Sequence, residues 1–319
     1  MPVVLTILLI LLGFALLIFG AEWLVSGASA LARKYNISEL AIGLTIVAFG
    51  TSAPELVVNA VASFDGHADI VLGNIIGSNN FNLFIILALA ALIYPIRVQS
   101  TSAWREVPMS FAITLVFFLL ANDFFLREST LVSRIDGLIL LALFGGFLWY
   151  VSTQMKKEPE KEKLPATLST FRIWLLILAG LAGLVTGGKL VVDYGVELAT
   201  YLGISEKIIG LTIIAAGTSL PELVTSIVAA LKKKSDIIIG NVIGSNIFNL
   251  LLILSVSSLI RPVVFNPQFN TDIYILSGGT LFLFLSMLTG KRKHLDRWEA
   301  AILLGFYLTY TVFLILREV

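Results

Sequence analysis

The chain has 319 residues, 57% of them hydrophobic and only 13% charged, which is the composition of an integral membrane protein without a soluble domain. It has no cysteine, which excludes a disulfide framework, thiol chemistry and cysteine-ligated metal, and its two histidines, His67 and His294, fall in polar loops and leave little scope for imidazole catalysis. The net charge of +1, with no basic patch outside the loops, excludes a nucleic-acid surface.

Ten apolar segments follow in chain order, over about 3–32, 38–63, 70–94, 104–121, 131–153, 172–200, 207–231, 237–260, 271–289 and 299–316. The first begins without a charged n-region and shows no small-residue cleavage site, so it is read as a retained helix and not a signal peptide. One long polar stretch, Met155 to Thr170, mixes Lys156, Lys157, Lys161 and Lys163 with Glu158, Glu160 and Glu162 and reads as a solvated linker. It divides the chain into a half over 1–154, a linker over 155–171 and a half over 172–319, with five spans in each half.

The second and seventh segments are interrupted by Gly50-Thr51-Ser52-Ala53-Pro54-Glu55 and Gly217-Thr218-Ser219-Leu220-Pro221-Glu222. Proline lacks an N–H and its ring crowds the carbonyl four residues back, at Gly50 and Gly217, so both spans should break there. Freed carbonyls, hydroxyls and one carboxylate are hard oxygen ligands, suited to Na⁺ or Ca²⁺ and poorly suited to zinc or copper. A carboxylate inside the bilayer costs at least about 2.5 kcal/mol, so an intramembrane Glu argues for function. Here it occurs twice.

Glu55 and Glu222 lie 167 residues apart, and the same offset aligns Ile37-Ser38-Glu39 with Ile204-Ser205-Glu206 and Gly43-Leu44-Thr45-Ile46 with Gly210-Leu211-Thr212-Ile213. It also aligns Gly73-Asn74-Ile75-Ile76-Gly77-Ser78-Asn79 with Gly240-Asn241-Val242-Ile243-Gly244-Ser245-Asn246. The chain is therefore an internal repeat. Of its 22 Lys and Arg, most fall in one alternating set of loops, from Arg33 and Lys34 through the linker to Lys232, Lys233, Lys234 and Arg297. The positive-inside rule makes that set cytoplasmic, with both termini outside the plasma membrane. Five spans per repeat is an odd number, so the second repeat must be inverted relative to the first, as in secondary transporters.

On a helix, Thr45, Ala48, Ser52, Glu55 and Asn59 share one face, as do Thr212, Ala215, Ser219, Glu222 and Ser226. Asn74, Ser78 and Asn82 recur every four residues in the third span, and Asn241, Ser245 and Asn249 do so in the eighth. Lipid offers these groups no partner, so the four stripes should enclose a central cavity. Simpler roles compete for some residues. Gly73-x-x-x-Gly77 and Gly240-x-x-x-Gly244 are more often helix-packing contacts, Thr45 and Thr212 can bond their own backbone four residues back, and Asn79 and Asn246 lie off the stripe and read as structural. Glu22 and Lys189 occupy equivalent repeat positions, but at opposite ends of their spans, so each should reach its own interface. Asp136 reads as a first-turn acid.

Gly-Thr-Ser-x-Pro-Glu in both halves, each followed by Gly-Asn-x-x-Gly-Ser-Asn-x-x-Asn, resembles the two α-repeats of the calcium/cation antiporter superfamily, and among its branches the prokaryotic sodium/calcium exchangers. The resemblance covers all ten spans. It implies an all-α membrane protein of ten helices in two inverted five-helix repeats, with helices 2, 3, 7 and 8 broken. It implies four ion sites in which Glu55 and Glu222 are the main calcium ligands, joined by the carbonyls of Thr51 and Thr218. Sodium would use Ser52, Ser219, Ser78 and Ser245 with the carbonyls of Ala48 and Ala215, and Asn82 and Asn249 would line the central position. Amides at both of these last positions resemble the potassium-independent exchangers. Spans 1 and 6, long and glycine-containing (Gly13, Gly20 and Gly27; Gly180, Gly183 and Gly187), would slide as the gating pair.

Two carboxylates balance one Ca²⁺ or two Na⁺, so both ions compete for the same oxygens and exchange follows if only a filled, near-neutral site crosses the low-dielectric barrier. The chain is thus expected to be an antiporter with Ca²⁺ and Na⁺ as transported ions, no cofactor and no protein partner, in contact with the lipid bilayer. Calcium/proton antiport is the alternative, since a buried Glu can titrate. A cation channel fits the inverted broken helices less well, and the spans hold no Ser–Lys pair, His cluster or paired Asp for an intramembrane hydrolase.

Overall fold

The computed structural model describes residues 3–97, 103–122, 130–154, 168–203, 215–287 and 294–318. In hydrocarbon a backbone must satisfy its own N–H and C=O groups, and the described chain is accordingly almost all helix. Helix α1 (Val3–Tyr35) leads to α2 (Glu39–Thr51), α3 (Ala53–Asp65) and α4 (Ala68–Ile93). After strand β1 (Ile96–Arg97) come α5 (Ala103–Ala121), β2 (Leu131–Val132) and α6 (Arg134–Gln154). The second half has α7 (Thr170–Tyr201), α8 (Leu220–Leu231), α9 (Ser235–Ile260), β3 (Val263–Val264), α10 (Asn270–Ser286), β4 (His294–Leu295) and α11 (Arg297–Glu318).

Five of these helices, α1, α4, α6, α7 and α9, are long and apolar enough to cross a membrane, and the bent pair α2–α3 makes a sixth. Among the others, α8 has 12 residues and α10 has 17, and α5 carries Arg105 and Glu106 near its start. At about 1.5 Å per residue, α1 and α7 reach about 50 Å, beyond the roughly 30 Å of hydrocarbon, so they must tilt or project. Large apolar side chains such as Leu11, Ile18, Leu138 and Leu178 stand exposed on these helices, the pattern of a lipid-facing surface.

Span 2 breaks where proline demands it. Ser52 leaves helical geometry (φ −83°, ψ 7°), Pro54 sits in the first turn of α3, and the axes differ by 48°. Ser219 repeats this conformation (φ −88°, ψ 5°) ahead of α8, with Pro221 in the first turn. Spans 3 and 8 differ from expectation: α4 and α9 are continuous. Each instead widens into one π-helical segment, Asn82–Ile86 and Asn249–Ile253, because neither contains a proline to sever the ladder. The expected start of span 7, with Lys207 and Thr212, and most of the linker lie outside the described residues.

Two short antiparallel strand pairs tie distant loops together, β1 with β4 (Ile96 opposite Leu295) and β2 with β3 (Leu131 opposite Val264). The starts of α6 and α11 are built alike. The Ser133 N–H donates to Asp136 (2.7 Å) and the Asp296 N–H to Glu299 (2.8 Å), an acid three residues into the helix reaching back to the cap. This is the first-turn role expected of Asp136.

The α1–α7 crossing is backbone against backbone. A Cβ at Gly20 would meet the Gly180 carbonyl at 2.8 Å, and one at Gly187 the Gly13 carbonyl at 2.7 Å. In the second half of α1, Glu22 pairs with Lys232 (3.6 Å) and not with Lys189; both partners are partly exposed, so the pair adds little stability.

Candidate ion-binding site

The two broken turns and the two π-helical segments converge on one buried cluster of oxygens. Glu55 and Glu222, in the first turns of α3 and α8, are 2% and 1% exposed. A carboxylate at a helix N-terminus gains from the helix dipole, which helps to hold it in a dry place. Each is served by the other half of the chain. Ser52 donates to Glu222 Oε1 (2.8 Å), which Ser245 also approaches (3.5 Å), and the Ser52 and Ser245 hydroxyl oxygens lie 3.0 Å apart. In mirror fashion Ser219 approaches Glu55 Oε1 (3.4 Å) and Ser78 Oγ (3.2 Å). The six residues form two interlocked copies of one motif.

Hydrogen bonding stops halfway round the cluster. Glu55 Oε2, Glu222 Oε2, Asn82 Oδ1 and Asn249 Oδ1 are buried and have no hydrogen-bond donor among the described residues. A buried acceptor left alone costs about 1–3 kcal/mol, and more when it is charged. These oxygens, two carboxylate and two amide, belong to residues in the broken turns and at the π-helical segments, and they are the hard ligands that Na⁺ or Ca²⁺ requires. No group of three or more His, Cys, Asp or Glu occurs among the described residues, so any cation here relies on hydroxyl, amide and carbonyl oxygens beside the two carboxylates.

Of the residues expected at the site, hydrogen bonds join Ser52 with Glu222 and Ser245, and Ser219 with Glu55 and Ser78; Asn82 and Asn249, one helical turn beyond Ser78 and Ser245, bond Asn246 and Asn79. The Thr51 hydroxyl bonds Asn241 of the other half (3.1 Å) as well as Val47 O, and the Ala48 carbonyl already accepts the Ser52 N–H (3.0 Å). Of Ala215 only the backbone is described, and Thr218 stands beside Ser219 in the second broken turn. Thr45 bonds the Ala41 carbonyl (2.7 Å), the backbone role that competes with ion binding at such positions. Asn59 donates to the Glu55 carbonyl (2.7 Å), and Asn241 to the Glu222 carbonyl (3.2 Å) and Ser226 (3.0 Å).

Gly240 and Gly244 pack closely on Gly43, Leu44 and Ala48 of the first half, the packing role weighed against a ligand loop. A buried acid, Glu106, and a part-buried one, Asp272, had no signal in the sequence pattern. Glu106 on α5 accepts from the Tyr150 hydroxyl (2.6 Å), and Asp272 on α10 from that of Tyr310 (2.8 Å). Both phenols belong to the following helix, so nothing local to either acid marks the contact.

Relatives match nearly the whole chain. The sodium/calcium exchanger protein family matches residues 5–153 and 172–316. The sodium/calcium exchanger MaX1 of Methanosarcina acetivorans is 32% identical, over 96% of this chain and 97% of its own. Inner membrane protein YrbG of Escherichia coli is 33% identical, over 96% and 95%. The solved structure of the sodium-calcium exchanger NCX_Mj soaked with zero Na⁺ and Ca²⁺ superimposes with a TM-score of 0.85 at 34% identity, covering 98% of this chain and 99% of that one. With its sequence matched in both halves and its fold shared end to end, the chain belongs to the sodium/calcium exchanger protein family, membrane antiporters and not enzymes.

Proposed function

We propose that the chain exchanges Na⁺ for Ca²⁺ across the plasma membrane by exposing one shared site alternately to its two sides. The observation that carries this reading is the set of four buried oxygens without donors, on Glu55, Glu222, Asn82 and Asn249. Calcium would be held by both carboxylates with the Thr51 and Thr218 carbonyls. Sodium would use the Ser52, Ser78, Ser219 and Ser245 hydroxyls with the Ala48 and Ala215 carbonyls. One Ca²⁺ or two Na⁺ neutralise the charge of −2, and a filled site then crosses the barrier where an empty one cannot. The test is calcium uptake into vesicles containing purified protein, driven by an imposed sodium gradient with pH clamped. Uptake that follows a proton gradient and ignores sodium would replace this reading with calcium/proton antiport.

The halves, 1–154 and 172–319, are proposed to be inverted five-span repeats joined by a cytoplasmic linker, ten spans in all. Contacts between loops support this, since two loops can touch only on the same side of a membrane. On the ten-span reading β1 and β4 are both cytoplasmic and β2 and β3 both external. Lys234 reaching Glu39 (2.6 Å) and Arg297 reaching the Ile93 carbonyl (3.2 Å) likewise join cytoplasmic loops, and Arg134 reaching the Ile260 carbonyl (3.3 Å) joins external ones. Single cysteines placed at Lys161 and Lys232 of this cysteine-free chain should resist an impermeant maleimide applied to intact cells, and ones at His67 and Lys207 should label. Labelling of positions 34 and 207 from the same side would rule out the inversion.

Asn249→Asp tests the central position. A third carboxyl must either carry its own proton or over-charge the calcium-loaded site, so exchange should persist and become pH dependent, weakening as that group ionises. Flux identical to wild type at every pH, measured alongside the melting temperature, would remove Asn249 from the site.

A further inference from the structure

We infer that Asn79 and Asn246 are positioning residues that turn the Asn249 and Asn82 amides so that only their oxygens face the ion cavity. This rests on the reading above that Asn82 and Asn249 line the site. An asparagine amide has two faces of opposite polarity, and a half-turn about its last bond exchanges an oxygen that attracts a cation for an NH₂ that repels it. At a cation site that choice must be enforced.

A four-residue network between α4 and α9 enforces it. The Asn79 NH₂ donates to the backbone carbonyl of Asn246 (3.2 Å), and the Asn246 NH₂ donates to the backbone carbonyl of Asn79 (3.3 Å). A backbone carbonyl can only accept, so these two bonds fix which way both amides point. The Asn79 oxygen is thereby turned toward Asn249, and the one group of that side chain able to satisfy it is the NH₂, which donates at 2.9 Å. Likewise the Asn246 oxygen receives the Asn82 NH₂ at 3.0 Å. What remains outward on each lining residue is Oδ1, the atom found without a donor.

All four side chains are at most 2% exposed, so no solvent is at hand to compensate a flipped amide. Asn82 and Asn249 also open the two π-helical segments, which places each lining amide where its helix changes pitch. The arrangement repeats across the two halves, so each half aims the other's ligand. A lining asparagine alone would leave its polarity open; the second pair removes that freedom.

The network also joins the two halves, so its test must separate aiming from bracing. In a double-mutant cycle, Asn79→Leu, Asn249→Ala and the combined variant are reconstituted as full-length protein, with half-saturating Ca²⁺ for sodium-driven uptake and melting temperature both recorded. Asn79→Leu should raise half-saturating Ca²⁺ about tenfold when position 249 is Asn, and should leave it unchanged when position 249 is Ala. The same factor in both backgrounds, or no change in either, would make Asn79 only a brace and overturn the proposal. Should Asn79→Leu not fold, Asn79→Ser and the symmetry-related cycle of Asn246→Leu with Asn82→Ala carry the same two outcomes. Wild-type uptake that ignores the sodium gradient would instead remove the underlying reading of the site, and the proposal with it.

Discussion

Glu55→Gln and Glu222→Gln are each expected to abolish sodium-driven calcium uptake while leaving a folded protein in the membrane. Glutamine keeps the size of the side chain and can keep the oxygen that accepts Ser219 or Ser52, so the hydrogen bonds that lock the two halves survive. The other oxygen, which has no donor, becomes an NH₂ that points at any bound cation. The charge also falls from −2 to −1 against a divalent ion. An uncompensated buried charge costs about 3–5 kcal/mol, enough to lower calcium occupancy by at least about a hundredfold. Sodium should suffer less, because a single Na⁺ still finds one carboxylate. Radiolabelled calcium uptake by each purified variant, with the melting temperature as a folding control, is the measurement. Normal uptake by a folded variant would remove that carboxylate from the site.

Much of the site was legible in the sequence because its causes are local. Pro54 and Pro221 cannot donate, so the breaks at Ser52 and Ser219 follow from single residues, and the gapless repeat carried each assignment to its partner. The π-helical segments at Asn82 and Asn249 were not legible. They contain neither proline nor glycine, and the break that the resemblance implies in these spans is a change of pitch in a continuous helix. Asn79 and Asn246 lie off the stripe, and their NH₂ groups do donate to backbone; the bonds their oxygens accept from the lining amides depend on a contact between halves that no periodicity encodes. Glu106 and Asp272 leave no mark in the pattern for the same reason, since Tyr150 and Tyr310 sit on other helices. Spacing shows which face a residue shares, but not which helix that face meets.

Gly240→Leu should be far more damaging than its place outside the ligand set suggests. A Cβ at this position would lie 2.7 Å from Gly43 Cα, 2.8 Å from the Leu40 carbonyl and 2.8 Å from the Leu44 N–H. These are backbone atoms of α2, so no rotamer can yield and the two helices must separate. Overpacking of a core contact costs about 1–3 kcal/mol, and a rigid helix crossing belongs at the upper end of that range. Function should fall with it, because the next residue, Asn241, bonds Thr51 across this interface and the Glu222 carbonyl on its own side. Moving α9 outward therefore pulls both broken turns out of register at once. Gly146→Leu is the control: that glycine is exposed on α6 with nothing within 4 Å of its added Cβ, and the change should cost less than about 0.5 kcal/mol. Melting temperature and sodium-driven calcium uptake, measured on both variants, distinguish the sites. A Gly240→Leu protein with wild-type stability and flux would mean that α2 and α9 are not held at this distance, and that the oxygens they position can be brought together without it.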